Sequence, residues 1–297
     1  MLAAVRGASL TRVGLTMELA SIMTFQFANA VASRLTTHIN PLGVTTLRNV
    51  FGALMLVLLA RPRLLRLSRA ELGLVLLFGV TIGVQSIAFY QAISRIPMGI
   101  VVTIAVLGPL AVAVATGTGR RRGLWPALAA VGVALLASQY GSGRSVGLIG
   151  LLFAFGCGVL WAVYILLNAR AGVALPGLEG LALAVVVAAV ISLPAGVAAS
   201  GSALVRPSVL INGLIVAALT CVVAFSLETL ALKRLPKDLF GVFASLEPAA
   251  AVVVGLLTLG QGLTAREIAG VVIVTGACVG AALKLRPRRG AATRELL

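Results

Sequence analysis

The stretch LEGLALAVVVAAVISLPAGVAAS, residues 178–200, carries one charged side chain, Glu179, and is otherwise almost wholly apolar. About 20 such residues cross the ~30 Å hydrocarbon core of a bilayer as a helix, with every backbone group paired internally. Working outward, nine more stretches of this kind occupy 13–33, 41–60, 71–91, 98–118, 124–140, 146–168, 208–231, 239–259 and 264–284. The chain therefore reads as an all-α, polytopic membrane protein with ten transmembrane helices.

Its formal net charge of +16 would suggest nucleic acid in a soluble protein. The placement of the charge argues for topology instead. With the N-terminus inside, inner segments hold Arg6, Arg12, Arg61, Arg63, Arg66, Arg69, Arg120 to Arg122, Arg170, Lys233, Arg234, Lys237, Lys284, Arg286, Arg288, Arg289 and Arg294. Outer loops keep one each: Arg34, Arg95, Arg144, Arg206 and Arg266. By the positive-inside rule this bias puts both termini in the cytoplasm. Nucleic acid is not an expected partner; the lipid bilayer is.

Arg6, Arg12, an apolar run and Ala28-Asn29-Ala30 resemble a cleavable signal peptide. Glu18 inside the run, and a charge bias that works only if the segment stays, favour a permanent first helix. Cys157, Cys221 and Cys278 lie within spans and read as small packing residues, with no disulfide framework or metal spacing. His38 is the only histidine. No phosphate loop is present, and Gly141-Ser142-Gly143 reads as a linker. No cofactor or metal is expected. A membrane-embedded enzyme or scaffold is the remote alternative, since no nucleophile, metal cluster or catalytic carboxylate pair stands out.

A shift of 139 residues lays Arg95-Ile96-Pro97 on Arg234-Leu235-Pro236 and Leu107-Gly108-Pro109 on Leu246-Glu247-Pro248. Eight of thirty positions agree between 86–115 and 225–254. The shift puts the fourth span on the ninth, so each repeat holds five spans. An odd number turns the second repeat upside down. The expected organisation is two inverted five-helix repeats, 13–140 and 146–284, and a basic cytoplasmic tail, 285–297. Such repeats enclose a substrate site near the midplane and permit alternating access. Pro109 and Pro248 take matching places, where a missing N–H bends a helix and frees a carbonyl. Plain tolerance of proline in membrane helices is the competing reading.

Ionisable residues within spans are few and costly. Glu247, about 12 Å into the ninth span at 1.5 Å per residue, suits a proton acceptor or a partner for a substrate ammonium, against a purely structural carboxyl. Glu18 lies about 9 Å into the first span by the same rise. Glu228, close to Lys233, is expected to snorkel to the inner interface. Arg48 could snorkel outward, pair with an acid such as Glu18, or meet a substrate carboxylate. Trp161, Tyr164 and Asn168 share a helix face, as do Glu18, Ser21, Phe25 and Asn29, and as do Gln85 and Phe89. Mixed polar and aromatic faces suit a cavity for a small amphiphilic solute. Ordinary interhelical packing would give similar stripes.

Several segments resemble the drug/metabolite transporter superfamily with two EamA-type halves. They are Val44-Thr45-Thr46-Leu47-Arg48, Gly108-Pro109-Leu110-Ala111-Val112, Trp161-Ala162-Val163-Tyr164-Ile165-Leu166, Ser226-Leu227-Glu228, Arg234-Leu235-Pro236 and Ser245-Leu246-Glu247-Pro248. Within that superfamily they are most similar to the threonine/homoserine exporter group of bacterial inner membranes. The resemblance implies a ten-helix exporter of small amino acids, driven by protons, another ion or the substrate gradient; drugs or other metabolites are the alternative cargo. Ala105 stands where that group often has glutamate, and Gln261-Gly262 where a Gly-Glu pair is usual.

Overall fold

The fold is seen in a computed structural model that describes residues 2–62, 67–118, 123–138, 147–232, 243, 245–284 and 286–287. Its helices are α1 (Leu2–Leu35), α2 (Pro41–Ala60), α3 (Arg69–Ile93), α4 (Met98–Ala105), α5 (Leu107–Thr116), α6 (Leu124–Ser138) and α7 (Gly147–Ala174). They continue with α8 (Glu179–Ser200), α9 (Pro207–Ala217), α10 (Phe225–Leu232), α11 (Glu247–Leu259) and α12 (Ala265–Lys284). A two-residue antiparallel pair, Gly117–Thr118 with Arg286–Pro287, is the only sheet among the described residues.

Among the described residues, six helical segments are long and apolar enough to cross a membrane: Pro41–Ala60, Arg69–Ile93, Met98–Ala115, Gly147–Ala174, Glu179–Val205 and Pro207–Ala231. Leu124–Leu136 and Glu247–Leu259 are shorter apolar helices. At 1.5 Å per residue the 13 residues of α11 reach only about 20 Å, short of the ~30 Å core. The first part of the expected ninth span, with Arg234-Leu235-Pro236, lies outside the described residues, as do Arg63, Arg66, Arg120 to Arg122, Gly141-Ser142-Gly143, Arg144 and Arg288 onward.

Local chemistry sets the helix ends. Asn40 accepts the Leu42 N–H at 3.0 Å, and Pro41 starts α2 with a preset φ and no N–H to satisfy. Ser68 and Glu71 form a reciprocal capping box at α3. Thr264 and Glu267 repeat that arrangement at α12, through bonds of 2.7 and 3.3 Å. The fourth span breaks at Val106, between α4 and α5. Pro109 follows three residues later, and its ring denies the Ala105 carbonyl an N–H donor.

The eighth span also departs from a regular helix. Ala218–Ala224 is a π segment joining α9 to α10. An extra residue in a turn rotates the face presented by everything beyond it.

Packing pairs α2 with α8, α3 with α7 and α8, α4 with α7 and α11, and α6 with α12. α1 packs on α9, α10 and α11, while α2 also meets α9. Buried polar bonds tie α2, α3 and α8 together. Asn49 donates to Ser192 Oγ at 3.2 Å and to Ser86 Oγ at 3.4 Å, and Thr46 donates to the Ser192 carbonyl at 2.7 Å. In a bilayer such bonds add to close packing, because lipid offers helices no hydrophobic drive to associate.

Candidate functional site

One chamber, about 810 Å³ of atom-free space counted to its open mouth, lies between α1, α2, α3, α4, α7, α10 and α11. α1 supplies its most polar wall, because Glu18, Ser21, Phe25 and Asn29 recur at helical spacing. Ile22 and Gln26 widen the same stripe. Ser21 donates to the Ala224 carbonyl at 2.9 Å, which fastens α1 to the end of the π segment.

Glu18, Gln26 and Asn29 are at most 2% exposed. Asn29 donates to Gln26 Oε1 at 3.4 Å. Glu18 Oε2, Gln26 Nε2 and Asn29 Oδ1 have no hydrogen-bond partner among the described residues. Buried polar atoms are seldom left so, and three on the wall of one chamber define a surface able to receive a solute's donors and acceptors.

Arg48 also faces the chamber, at 4% exposure. Its Nε donates to Thr220 at 3.1 Å, its Nη1 donates to Asn49 at 2.9 Å, and its guanidinium lies 5.2 Å from the Phe225 ring centroid. Two of the sequence expectations are corrected here. Arg48 does not snorkel, since helices enclose it, and it makes no ion pair with Glu18 among the described residues, because neutral partners hold it elsewhere.

Glu228 is likewise corrected. It lines the chamber instead of reaching for the interface, on the helix that follows the π segment. Glu247 lines it too, as the first residue of α11 rather than mid-helix, where the helix dipole favours a negative group. Pro248 accordingly occupies a first turn, where it disrupts no helical bond.

Gln85, Phe89, Trp161 and Tyr164 face the chamber. Asn168 does not, which corrects its assignment: it sits one turn beyond and donates to the Tyr164 hydroxyl at 3.4 Å. Tyr164 is itself placed by Phe78 and Phe225, at centroid distances of 5.5 and 5.8 Å, and Phe25 meets Phe225 at 5.6 Å.

Sequence reasoning missed Gln26, Ser86, Tyr90, Val102, Cys157 and Phe225. Cys157 precedes Trp161 by four residues, and Phe225 precedes Glu228 by three, so helical spacing carried a signal for both. Nothing local marked Val102.

Comparison with known proteins agrees with this architecture. Residues 148–283 match the EamA-like transporter family. The chain is 35% identical over 268 residues to the threonine/homoserine exporters RhtA of Escherichia coli strain K12 and Salmonella typhimurium strain LT2, with 90% of each chain covered. A solved crystal structure of a protein superposes with a TM-score of 0.62 at 20% identity, covering 92% of this chain and 97% of that one, a likeness of fold alone. At 35% identity across nine-tenths of its length, the chain belongs to the EamA-like transporter family of the drug/metabolite transporter superfamily.

Proposed function

We propose that this protein is a secondary transporter of the bacterial inner membrane that exports small amino acids of the threonine/homoserine kind by alternating access. The observation carrying this reading is the chamber whose α1 wall bears three buried polar atoms without a partner among the described residues, with the Arg48 guanidinium also on its lining. An α-amino acid brings an ammonium for Glu18, Glu228 or Glu247 and a carboxylate for Arg48. Membership in a transporter family, at 35% identity to threonine/homoserine exporters, supports export rather than catalysis.

Alternating access requires two related packings of one fold. Counting α4–α5 as the fourth span and α9–α10 as the eighth, exchange of each span with the one five places on keeps the main contacts. Second on seventh, fourth on ninth and fifth on tenth map onto themselves; third on sixth maps to eighth on first, and third on seventh to eighth on second. That pattern supports two repeats at 13–140 and 146–284; an odd number of spans in each favours inversion, and the basic residues on alternate loops favour both termini and the 285–297 tail in the cytoplasm. Glu247, Glu228 and Glu18 are the groups through which protons would couple to flux.

The aromatic row Phe25–Phe225–Tyr164, with Trp161 beside it, favours a second reading, export of larger amphiphiles. Counterflow in liposomes with a panel of twenty amino acids and a lipophilic dye separates the two. Amino acids are expected to exchange and the dye to be left behind; exchange of the dye alone would replace the first reading with the second.

A further inference from the structure

The chamber wall changes character where α3, α4 and α7 meet. Ala88, Ala105 and Cys157 form a small buried cluster there, with Phe89, Phe153 and Trp161 packed against it. Phe89, Ala105, Cys157 and Trp161 are the members that face the chamber. Carbon and sulfur surfaces thus stand apart from the polar wall of α1. Gln85, one turn before Phe89 on α3, also faces the chamber.

Ala105 has the smallest side chain of this corner, and nothing behind it can retreat. A Cβ at Gly108 would fall onto the Gly158 carbonyl oxygen, and one at Gly158 would stand 3.0 Å from the Ala105 carbonyl oxygen. The backbones of the α4–α5 junction and α7 are therefore in direct contact behind position 105. Close-packed interiors do not absorb added volume by backing away. A larger side chain at 105 has to project into the chamber.

We propose that Ala105 sets the size limit for the substrate's side chain, by leaving a corner between Phe89 and Trp161 that takes a branched aliphatic group of the valine and leucine class. This rests on the amino-acid export reading and revises its threonine/homoserine preference, because the corner presents carbon and sulfur surface to the substrate's side chain. The polar head stays with α1 and Arg48, and the side chain enters the apolar corner. One methylene more or less in an apolar pocket changes discrimination by roughly 10- to 200-fold.

Counterflow of labelled alanine, valine, leucine, threonine and homoserine, measured separately in liposomes, tests this on the parent and on Ala105→Leu and Ala105→Gly. The parent is expected to exchange valine and leucine faster than homoserine. Ala105→Leu lowers the leucine-to-alanine ratio by about tenfold or more, while Ala105→Gly raises it. If Ala105→Leu does not assemble, Ala105→Val takes its place, and the ratio must still move in opposite directions for Val and Gly. A ratio indifferent to position 105, or homoserine outpacing valine and leucine in the parent, overturns the proposal and leaves amino-acid export standing. Absence of counterflow for every amino acid in the parent removes the export reading itself, and this proposal with it.

Discussion

Gln261 reaches across 163 positions of sequence to accept the Met98 N–H at 3.0 Å. Met98 opens α4, and its cap residue, Pro97, offers no side-chain bond, so the donor would otherwise be orphaned. The loop between α11 and α12 thereby fastens the start of the fourth span. Arg34, at the end of α1, adds a second tie at that end by donating to the Thr258 carbonyl. Gln261→Ala leaves a part-buried N–H without its partner and is expected to cost about 1–3 kcal/mol of stability. Thermal unfolding in detergent measures it. Gln261→Glu keeps an acceptor oxygen and is expected to stay near the parent; equal losses in both variants would show that the bond contributes nothing.

Arg48 joins Thr220, Asn49 and the face of Phe225 from a single planar group. Lysine offers a point charge and cannot reproduce the fork. Losing charge-assisted bonds worth about 1.5–3 kcal/mol, Arg48→Lys is expected to weaken substrate binding by roughly 10- to 100-fold while the protein still folds. A binding isotherm for the exported amino acid checks the affinity. Gel filtration checks the fold.

Glu247 is the ionisable group through which a proton gradient is expected to act. One pH unit is worth 1.36 kcal/mol per proton, so coupling to one proton gives about tenfold accumulation across a unit gradient. Glu247→Gln keeps the shape and removes the titration. It is expected to retain counterflow, which needs no net proton movement, and to lose accumulation when a gradient is imposed on vesicles. A variant that accumulates substrate as the parent does at every pH makes Glu247 structural.

Topology yields a prediction that needs no substrate. Inverted repeats put Arg95 and its repeat-mate Arg234 on opposite sides of the membrane. Single cysteines at 95 and 234, probed in whole cells with an impermeant maleimide, are expected to label at 95 only. Labelling of both from one side would remove the inverted arrangement and the shared chamber.

Much of this site was legible because helical spacing and intramembrane polarity are local signals. Glu18, Phe25 and Asn29 were visible as one stripe on α1, and Gln85 with Phe89 as another. What escaped was set by non-local geometry. The π segment at Ala218–Ala224 leaves no signature in periodicity, so the face to which Glu228 would turn could not be read. Arg48 had several polar groups in prospect, and only the fold selected Thr220 and Asn49 over Glu18. Asn168 kept the spacing of Trp161 and Tyr164, yet it lies beyond the end of the chamber, because the shared face of α7 is longer than the cavity.

Glycine offers the sharpest separation of packing from composition. Gly108 and Gly172 are both helical, and alanine is intrinsically the better helix former by about 0.8–1.0 kcal/mol. At Gly172 an added methyl meets nothing within 4 Å, so Gly172→Ala is expected to be neutral or mildly stabilising. At Gly108 the same methyl meets the backbone of Gly158, a neighbour that cannot change rotamer, and Ala162 N lies 3.0 Å away. Overpacking of this kind typically costs about 1–3 kcal/mol and outweighs the gain in propensity. Gly108→Ala should therefore unfold earlier than the parent, and because α5 would be pushed off α7, the corner beside Ala105 should open. Thermal unfolding of the two variants side by side is decisive: equal midpoints would mean that α5 and α7 do not touch, and that the wall behind Ala105 is not where this structure places it.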